Sequence, residues 1–139
     1  MVMADVLHMA GKRKMAIARA TISKGNGRVT INSIPLDIYG TRIARMKINE
    51  SLMIASKYVN LNDINIKVNV KGGGIMGQTD AIISSIARAL VEWSKNEKLH
   101  SAYLGYNRTV IAGDHRQTEP HKPSQSRKGP RHKRQKSYR

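Results

Sequence analysis

Neither cysteine nor phenylalanine occurs among the 139 residues of the chain. The lack of cysteine excludes disulfides, zinc ribbons and thiol chemistry, and it suits a reducing compartment. Aromatic residues make up only 4% of the chain, which argues against the stacked-base platforms of RRM-type RNA-binding domains. No apolar run approaches the roughly 20 residues of a membrane-spanning helix, and the N-terminus lacks the pattern of a signal peptide. We expect a soluble intracellular protein without a membrane partner.

Acidic residues are also scarce. Nine Asp and Glu stand against 25 Lys and Arg, which gives a formal net charge of +16 and a pI near 10.6. The acids of the first 113 residues are scattered, so no carboxylate pair is placed for acid–base catalysis. The five histidines are isolated or lie near the C-terminus without clustered acids, so no metal site is expected. An enzyme is therefore not expected, and the charge indicates a nucleic acid as the partner.

The most basic stretch is the C-terminal one, residues 114–139. Nine of its residues are Lys or Arg and two are acidic, so it carries +7 and leaves +9 on the rest of the chain. It has no aliphatic residue to bury, and its three prolines disfavour helix and sheet. Alone, such a segment cannot offset the entropy of becoming ordered. We predict a globular body over residues 1–113 and an extended basic tail over 114–139 that orders against a polyanion.

Alternation of apolar and polar residues predicts the strands of the body. An edge strand is expected at Val6–Met9, and the turn sequence Gly25-Asn26-Gly27 predicts a β-hairpin from about Met15 to Ile34. The clearest strand is 64–71. Its exposed face would carry RNA-compatible donors, namely Lys67, Asn69 and Lys71.

Helical spacing predicts two further groups of elements. Helical turns are expected over 41–47 and 49–58, with Thr41 and Asn49 as N-caps. The residues expected to be buried there are Ile43, Met46, Leu52, Met53 and Ala55. A central packing helix is expected over about 79–95, and a shorter helix over about 96–104 that stops at Gly105.

The strand at 64–71 is followed by Gly72-x-Gly74-x-x-Gly77, which matches the dinucleotide-binding pattern. The rest of such a unit is missing, because no second parallel strand with an acid follows the helix. Two compatible interpretations remain. The glycines allow a tight strand-to-helix crossover, or their bare amides and the helix N-terminus contact RNA phosphate.

The basic residues of the body also allow two interpretations. Lys12-Arg13-Lys14 is either a solvated loop or an RNA contact, and Arg88 is either an ordinary solvent-facing residue or a phosphate contact. With so few aromatics, RNA binding should depend on phosphates, shape and the tail. The alternatives to a structural RNA-binding protein are a nucleotide-dependent enzyme that uses the glycine loop and a free-standing, non-specific nucleic-acid binder.

Three motifs together carry a resemblance to a known family. The first is Gly11-Lys12-Arg13-Lys14 with Ala16 and Ala18-Arg19-Ala20. The second is Gly72-Gly73-Gly74-x-x-Gly77-Gln78 followed by Ile86-Ala87-Arg88-Ala89-Leu90. The third is Asp114-x-Arg116 with Glu119 and the ending Gln135-Lys136-Ser137-Tyr138-Arg139. In these motifs, over essentially the whole chain after about residue 8, the sequence resembles the small-subunit ribosomal protein nine family, with an ending and a short body similar to the archaeal type.

The resemblance implies an α+β fold like the second domain of ribosomal protein S-five. That fold is an α/β sandwich with a mixed sheet, helices on one face and a left-handed βαβ crossover, here joined to the extended basic tail. The resemblance also implies a cytoplasmic location in the ribosome, in the head of the small subunit. The partners implied are the 3′ major domain of the small-subunit rRNA, neighbouring head proteins and, at the tip of the tail, the anticodon stem-loop of P-site tRNA.

The resemblance and the exposed elements together indicate candidate site residues, which are basic, glycine or polar. The candidate rRNA-binding residues are Lys12, Arg13, Lys14, Arg42, Lys71, Gly72, Gly73, Gly74, Gln78, Arg88, Arg108, Arg116, Lys122, Arg127, Lys128, Arg131 and Lys133. The candidate tRNA-binding residues are Arg134, Lys136, Ser137, Tyr138 and Arg139, with Arg139 as the phosphate contact. No catalytic residue, metal, cofactor or small-molecule substrate is expected.

Overall fold

A computed structural model describes residues 5–122 of the chain. The strands are β1 (Val6–Arg13), β2 (Ala16–Lys24), β3 (Val29–Ile31), β4 (Ile34–Pro35) and β5 (Ile64–Lys71). The α-helices are α1 (Arg42–Ser56), α2 (Ile75–Ser94), α3 (Glu97–Tyr106) and α4 (Arg108–Ala112). Short 3₁₀ turns at Leu36–Ile38 and Leu61–Asp63 precede α1 and β5. None of the helices within residues 5–122 is long and apolar enough to cross a membrane.

The five strands form one mixed sheet in the order β1-β2-β5-β3-β4. β2 runs antiparallel to both β1 and β5, whereas β3 runs parallel to β5. The helices pack on one face of the sheet, with α2 against β1, β2 and β5. This α+β architecture confirms the expected fold class. The chain crosses from β3 to β5 by way of β4 and α1, and the left-handed sense of that crossover stays an expectation from the resemblance.

The expected hairpin from Met15 to Ile34 is wrong, because β5 lies between its two strands. Two other hairpins form: β1 joins β2 through a tight turn with Lys14 at φ 53°, and the short strands β3 and β4 pair across Asn32 and Ser33. The amide of Gly25 donates instead to the carbonyl oxygen of Asp63, at the start of β5. Alternation located β2 and β5, but β1 extends to Arg13, β3 ends at Ile31 and β4 was not expected. It also carries no information about which strand pairs with which.

The central helix α2 packs closely on the sheet. The β2 residues beneath it are small and fully buried, namely Ala16, Ala18 and Ala20. Its own apolar residues Ile82, Ile86 and Leu90 are fully buried as well. The predicted helix is thus confirmed, although it begins four residues earlier, at Ile75. Because small side chains let the backbone of a helix approach a sheet, this layer is the rigid centre to which the other elements attach.

The expected helical turns over 41–47 and 49–58 form one continuous helix, α1. Thr41 is its N-cap, with a hydroxyl that accepts from the amide of Ala44 at 3.3 Å, whereas Asn49 lies inside the helix and caps nothing. The buried residues of α1 are Ala44, Ile48, Ser51, Leu52 and Ala55.

The expected burial of three large residues of α1 is wrong. Ile43 is 61% exposed, Met46 59% and Met53 70%. Leu52 and Ala55 are buried, as expected. The buried face combines the large residues Ile48 and Leu52 with small ones, and the small ones let the helix approach its neighbours closely.

The last two helices also differ from expectation. α3 begins after Asn96, whose side-chain oxygen accepts from the amide of Lys98 at 2.9 Å. It extends through Gly105, which was expected to stop it, to Tyr106. The short helix α4, which was not expected, follows Asn107. These helices place the start of the C-terminal segment beside β1 and α2.

Tyr103 of α3 is fully buried, and its hydroxyl donates to the carbonyl oxygen of Ser51 on α1 at 2.9 Å. We expect Tyr103→Phe to lower the free energy of unfolding by about 1–2 kcal/mol, because a buried hydrogen bond between two helices is lost. Urea denaturation measures this change. Tyr106→Phe is the matched control, since Tyr106 is 49% exposed, and its effect should stay within about 0.5 kcal/mol.

Tyr103 also makes the free energy of unfolding depend on pH in the alkaline range. Burial raises the pKa of Tyr103 to about 12, above its unfolded value near 10. The protonated form is therefore favoured in the folded state. Its contribution to stability is complete below pH 10 and is lost as the pH rises from 10 to 12. If the free energy of unfolding falls equally in wild type and in Tyr103→Phe between pH 10 and 12, this assignment is contradicted.

Candidate nucleic-acid interface

The face of the sheet opposite the helices presents basic side chains in register. Lys12 of β1 and Lys71 of β5 lie in one row, on either side of Ile17. Arg19 lies beside Asn69 in the next row. None of the residues of β1, β2, β3 and β5 is acidic, and none is Phe, Tyr or Trp. We refer to the exposed basic residues Lys12, Arg19, Lys67 and Lys71 as the sheet-face cations.

Two of the sheet-face cations, Arg19 and Lys67, were not among the candidate residues. Arg19 is exposed on β2, and its register partner on β5 is Asn69. Lys67 is exposed on β5, two rows from Lys71. Alternation had placed Lys67 on an exposed face, but the pairing of β2 with β5 was needed to show that Arg19 shares that face.

The glycine segment meets the β1–β2 turn at one end of the sheet. A Cβ on Gly72 would lie 2.4 Å from the carbonyl oxygen of Met15, and one on Gly73 would lie 2.9 Å from the Cβ of Ala16. Both glycines also have a positive φ, at 78° and 68°. These positions therefore fit the crossover interpretation, because only glycine combines that backbone with such close contacts.

Gly74 differs from the two glycines before it. A Cβ there would meet no atom within 4 Å, and the residue precedes the first turn of α2 in an extended conformation. The side-chain amide of Gln78 donates to the carbonyl oxygen of Gly72 at 3.1 Å, so Gln78 supports the loop. Lys14 is exposed at the adjoining turn. Gly72, Gly73 and Gly74 are all exposed, but only at Gly74 is there space for a side chain.

Arg88 holds the backbone of two other elements. Its Nε donates to the carbonyl oxygen of Ile111 at 2.7 Å, and its Nη1 donates to that of Ala10 at 3.1 Å. These bonds use two of the five N–H donors of the guanidinium. Arg88 therefore attaches the end of α4 to β1, which neither of the interpretations of this residue anticipated.

Arg13 and Arg116 share one carboxylate. Arg116 Nη2 lies 2.7 Å from Asp114 Oδ2, and Arg13 Nη1 contacts the same oxygen. Hydrogen bonds from Arg116 hold the pKa of Asp114 well below its usual range, and the charge of Arg13 acts in the same direction. Two of the candidate RNA contacts thus already have an anionic partner within the chain.

The remaining candidates fall into two groups. Arg42, Arg108 and Lys122 are exposed, at the start of α1, at the start of α4 and in the tail. The others lie outside the described residues, namely Arg127, Lys128, Arg131, Lys133, Arg134, Lys136, Ser137, Tyr138 and Arg139.

Comparison with known proteins gives one consistent result. The family model described as ribosomal protein S9/S16 matches residues 11–139. The small ribosomal subunit protein uS9 of Methanococcus maripaludis (strain C5) is 46% identical over 134 residues, which cover 96% of this chain and 98% of that protein. The protein of the same name from Methanococcus vannielii is 44% identical over the same shares. Both relatives are archaeal and belong to a structural, non-enzymatic family, which excludes the enzyme interpretation. The chain belongs to the ribosomal protein S9/S16 family and is of its archaeal type.

Proposed function

We propose that this protein is a structural constituent of the small ribosomal subunit that binds rRNA in the head through its sheet face and its basic tail. The tip of the tail, residues 134–139, reaches the anticodon stem-loop of P-site tRNA. The observation that carries the rRNA proposal is the group of sheet-face cations, which are exposed and in register on strands without a single acid.

The spacing of these side chains suits a phosphate backbone. Lys12 and Lys71 are two strand spacings apart, about 10 Å, and Lys67 lies about 13 Å from Lys71 along β5. Long basic side chains over such an area can neutralise several phosphates at once. Because those strands carry no Phe, Tyr or Trp and a single histidine, His8, the surface recognises mainly backbone and shape rather than stacked bases.

The composition of the tail supports its part of the proposal. Fully extended, 26 residues reach about 90 Å at roughly 3.5 Å each. A terminal arginine such as Arg139 is a suitable tip, because its guanidinium binds phosphate through two parallel hydrogen bonds. Contacts with phosphate carry no sequence information, as a site that accepts every tRNA requires.

Neighbouring proteins of the head are the third proposed partner. Ile43, Met46 and Met53 form an exposed apolar stripe along α1. Such side chains contribute nothing to phosphate binding, whereas apolar patches of this kind commonly mark contacts between proteins. We propose that a neighbouring head protein covers this stripe in the assembled subunit.

Lys71→Gln tests the sheet face. We expect it to weaken binding to an rRNA fragment of the head and to reduce the slope of log K against log salt concentration by about 0.7–0.9, because one phosphate contact is lost. Filter binding over a salt series measures both quantities. Lys98→Gln is the matched control, since this exposed lysine lies on α3 in the helical layer. Equal reductions for the two variants would mean that the effect is one of net charge and not of the sheet face.

A free-standing nucleic-acid binder would show a similar salt dependence, so assembly is the distinguishing experiment. We expect the protein to co-sediment with the small subunit through a high-salt wash. Loss of the protein in that wash would favour the non-specific binder.

A further inference from the structure

The first residues of the tail are attached to the body. Asp114 was assigned to the tail, yet only 11% of its side chain is exposed. Just before it, the carbonyl oxygen of Ile111 accepts the hydrogen bond from Arg88. Gly113 then turns the chain with φ 84°. The segment that leaves α4 is therefore held against the end of the sheet.

Asp114 lies between two arginines from different parts of the chain. The amide and the Nε of Arg116 donate to its Oδ1 at 2.9 and 3.0 Å, and Nη2 of Arg116 donates to its Oδ2 at 2.7 Å. Arg13, the last residue of β1, contacts the same Oδ2 from the body. The carboxylate therefore makes one set of contacts within the tail, to Arg116, and one contact with the sheet, to Arg13.

The body side of this cluster is also built from charges. The side chain of Arg13 is 17% exposed, and its Nε lies 3.8 Å from a carboxylate oxygen of Asp80 on α2. Lys47 of α1 approaches the other oxygen of Asp80 at 3.7 Å. A partly buried pair such as Arg13–Asp114 is less screened than a surface pair. Removing Asp114 leaves Arg13 with only the longer contact to Asp80, and removing Arg13 leaves Asp114 bonded only within the tail, to Arg116.

Beyond the cluster, the chain continues towards the glycine segment. Thr118 lines a cleft together with Gly73, Gly74 and Lys14. The tail therefore runs from the end of α4 past Arg13 to the start of α2. Asp114 makes the ion pair that joins this segment to the body.

We propose that Asp114 is a positioning residue that fixes, before any RNA is bound, the direction in which the tail leaves the body. Arg13 holds Asp114 from the body and does not contact rRNA phosphate, and Arg116 holds it from within the tail. The consequence for tRNA rests on the proposed function. If the first residues of the tail are held in place, the tip occupies a smaller volume, and its effective concentration at the tRNA is higher.

Distance measurements between two spin labels test this proposal on the full-length protein without RNA. Because the chain has no cysteine, Ser101→Cys on α3 and Gln117→Cys on the tail give two specific labelling sites. We expect a narrow distance distribution with Asp114 present. Asp114→Asn should broaden it by about 10 Å, the range over which the four residues 114–117 move as a flexible chain.

Glu119→Gln is the control, because it removes one carboxylate from the same segment and Glu119 makes no ion pair within residues 5–122. Its distribution should stay narrow. A narrow distribution in Asp114→Asn, or a broad one in both variants, would overturn the proposal. If circular dichroism shows that Asp114→Asn does not fold, Arg13→Gln, which removes the partner of Asp114 on the body and keeps its bonds to Arg116, replaces it with the same expected broadening.

A second measurement tests the role of Arg13. We expect Arg13→Gln to leave the salt slope of rRNA binding unchanged, whereas a lost phosphate contact would reduce it by about 0.7–0.9. A reduction of that size would show that Arg13 binds phosphate and would overturn its assignment to Asp114. The spin-label experiment uses no RNA, so its failure leaves the rRNA proposal standing, and the reverse holds for the Lys71→Gln experiment.

Discussion

Gly11→Ala is expected to lower the free energy of unfolding by about 3 kcal/mol, at the upper end of overpacking effects. A Cβ at Gly11 would lie 2.4 Å from the carbonyl oxygen of Ala81 and 2.5 Å from the amide nitrogen of Ser85. Both atoms belong to the backbone of α2, so no side-chain rotation can relieve the contact. β1 and α2 would have to separate, which would open the closest-packed layer of the fold. Urea denaturation of the purified protein measures the loss.

Gly105→Ala is the matched control for that experiment. The chemical change is the same, but Gly105 lies in α3 and a Cβ there would meet no atom within 4 Å. Alanine is favoured over glycine in a helix, so we expect this variant to be more stable by up to about 1 kcal/mol. The two substitutions should therefore have opposite signs. Similar small effects from both would contradict the close approach of β1 to α2.

The elements that the sequence predicted best are those with a strong local pattern. The strand at 64–71 has the predicted bounds, and α2 buries Ile82, Ile86 and Leu90 as its spacing indicated. The pairing of β2 with β5 was not predicted, because it joins residues such as Ile17 and Lys71 that are far apart in the chain. The strongest local signal was the turn sequence Gly25-Asn26-Gly27, which favours a hairpin. The pairing of β2 with β5 in the fold outweighs it.

The face that α1 buries shows a second limit of sequence patterns. Ile43 and Met53 are large and apolar, yet they are exposed, while Ala44 and Ser51 are buried. Ile48 and Leu52 are buried on the same face, and the packing of α1 against α2 and α3 requires small residues between them. That requirement depends on the distance between helices, which local periodicity does not contain.

The sequence predicted the type of site, a basic RNA-binding surface, but not which residues come together in it. The net charge indicated an RNA partner, and family membership supports it. The neutralisation of Arg13 by Asp114 could not be predicted, because the two residues are about 100 positions apart and meet only in the fold. The same holds for Arg88, whose partners are backbone carbonyls of β1 and α4. A count of basic residues therefore overestimates the number that are free to bind phosphate.

Deletion of residues 136–139 is expected to weaken P-site tRNA binding about tenfold, which corresponds to about 1.4 kcal/mol. This is the loss expected when one charge-assisted hydrogen bond to phosphate is removed. Assembly of the subunit should stay near normal, because the sheet-face cations and the basic residues of 114–135 remain. The measurement is tRNA binding to subunits that carry the shortened protein, together with the frequency of reading-frame errors.

Two further variants separate position from charge in that experiment. Lys95→Gln with Lys98→Gln removes two positive charges from the helical layer and should leave tRNA binding unchanged, although the net charge falls by as much as in the deletion. Arg139→Lys keeps the terminal charge but loses the planar fork that binds phosphate bidentately, so it should give part of the effect of the deletion. If the deletion leaves tRNA affinity and reading-frame fidelity unchanged, the tip does not contribute to tRNA binding. The tail would then act only as an rRNA-binding segment, and the direction set at Asp114 would matter for assembly rather than for tRNA.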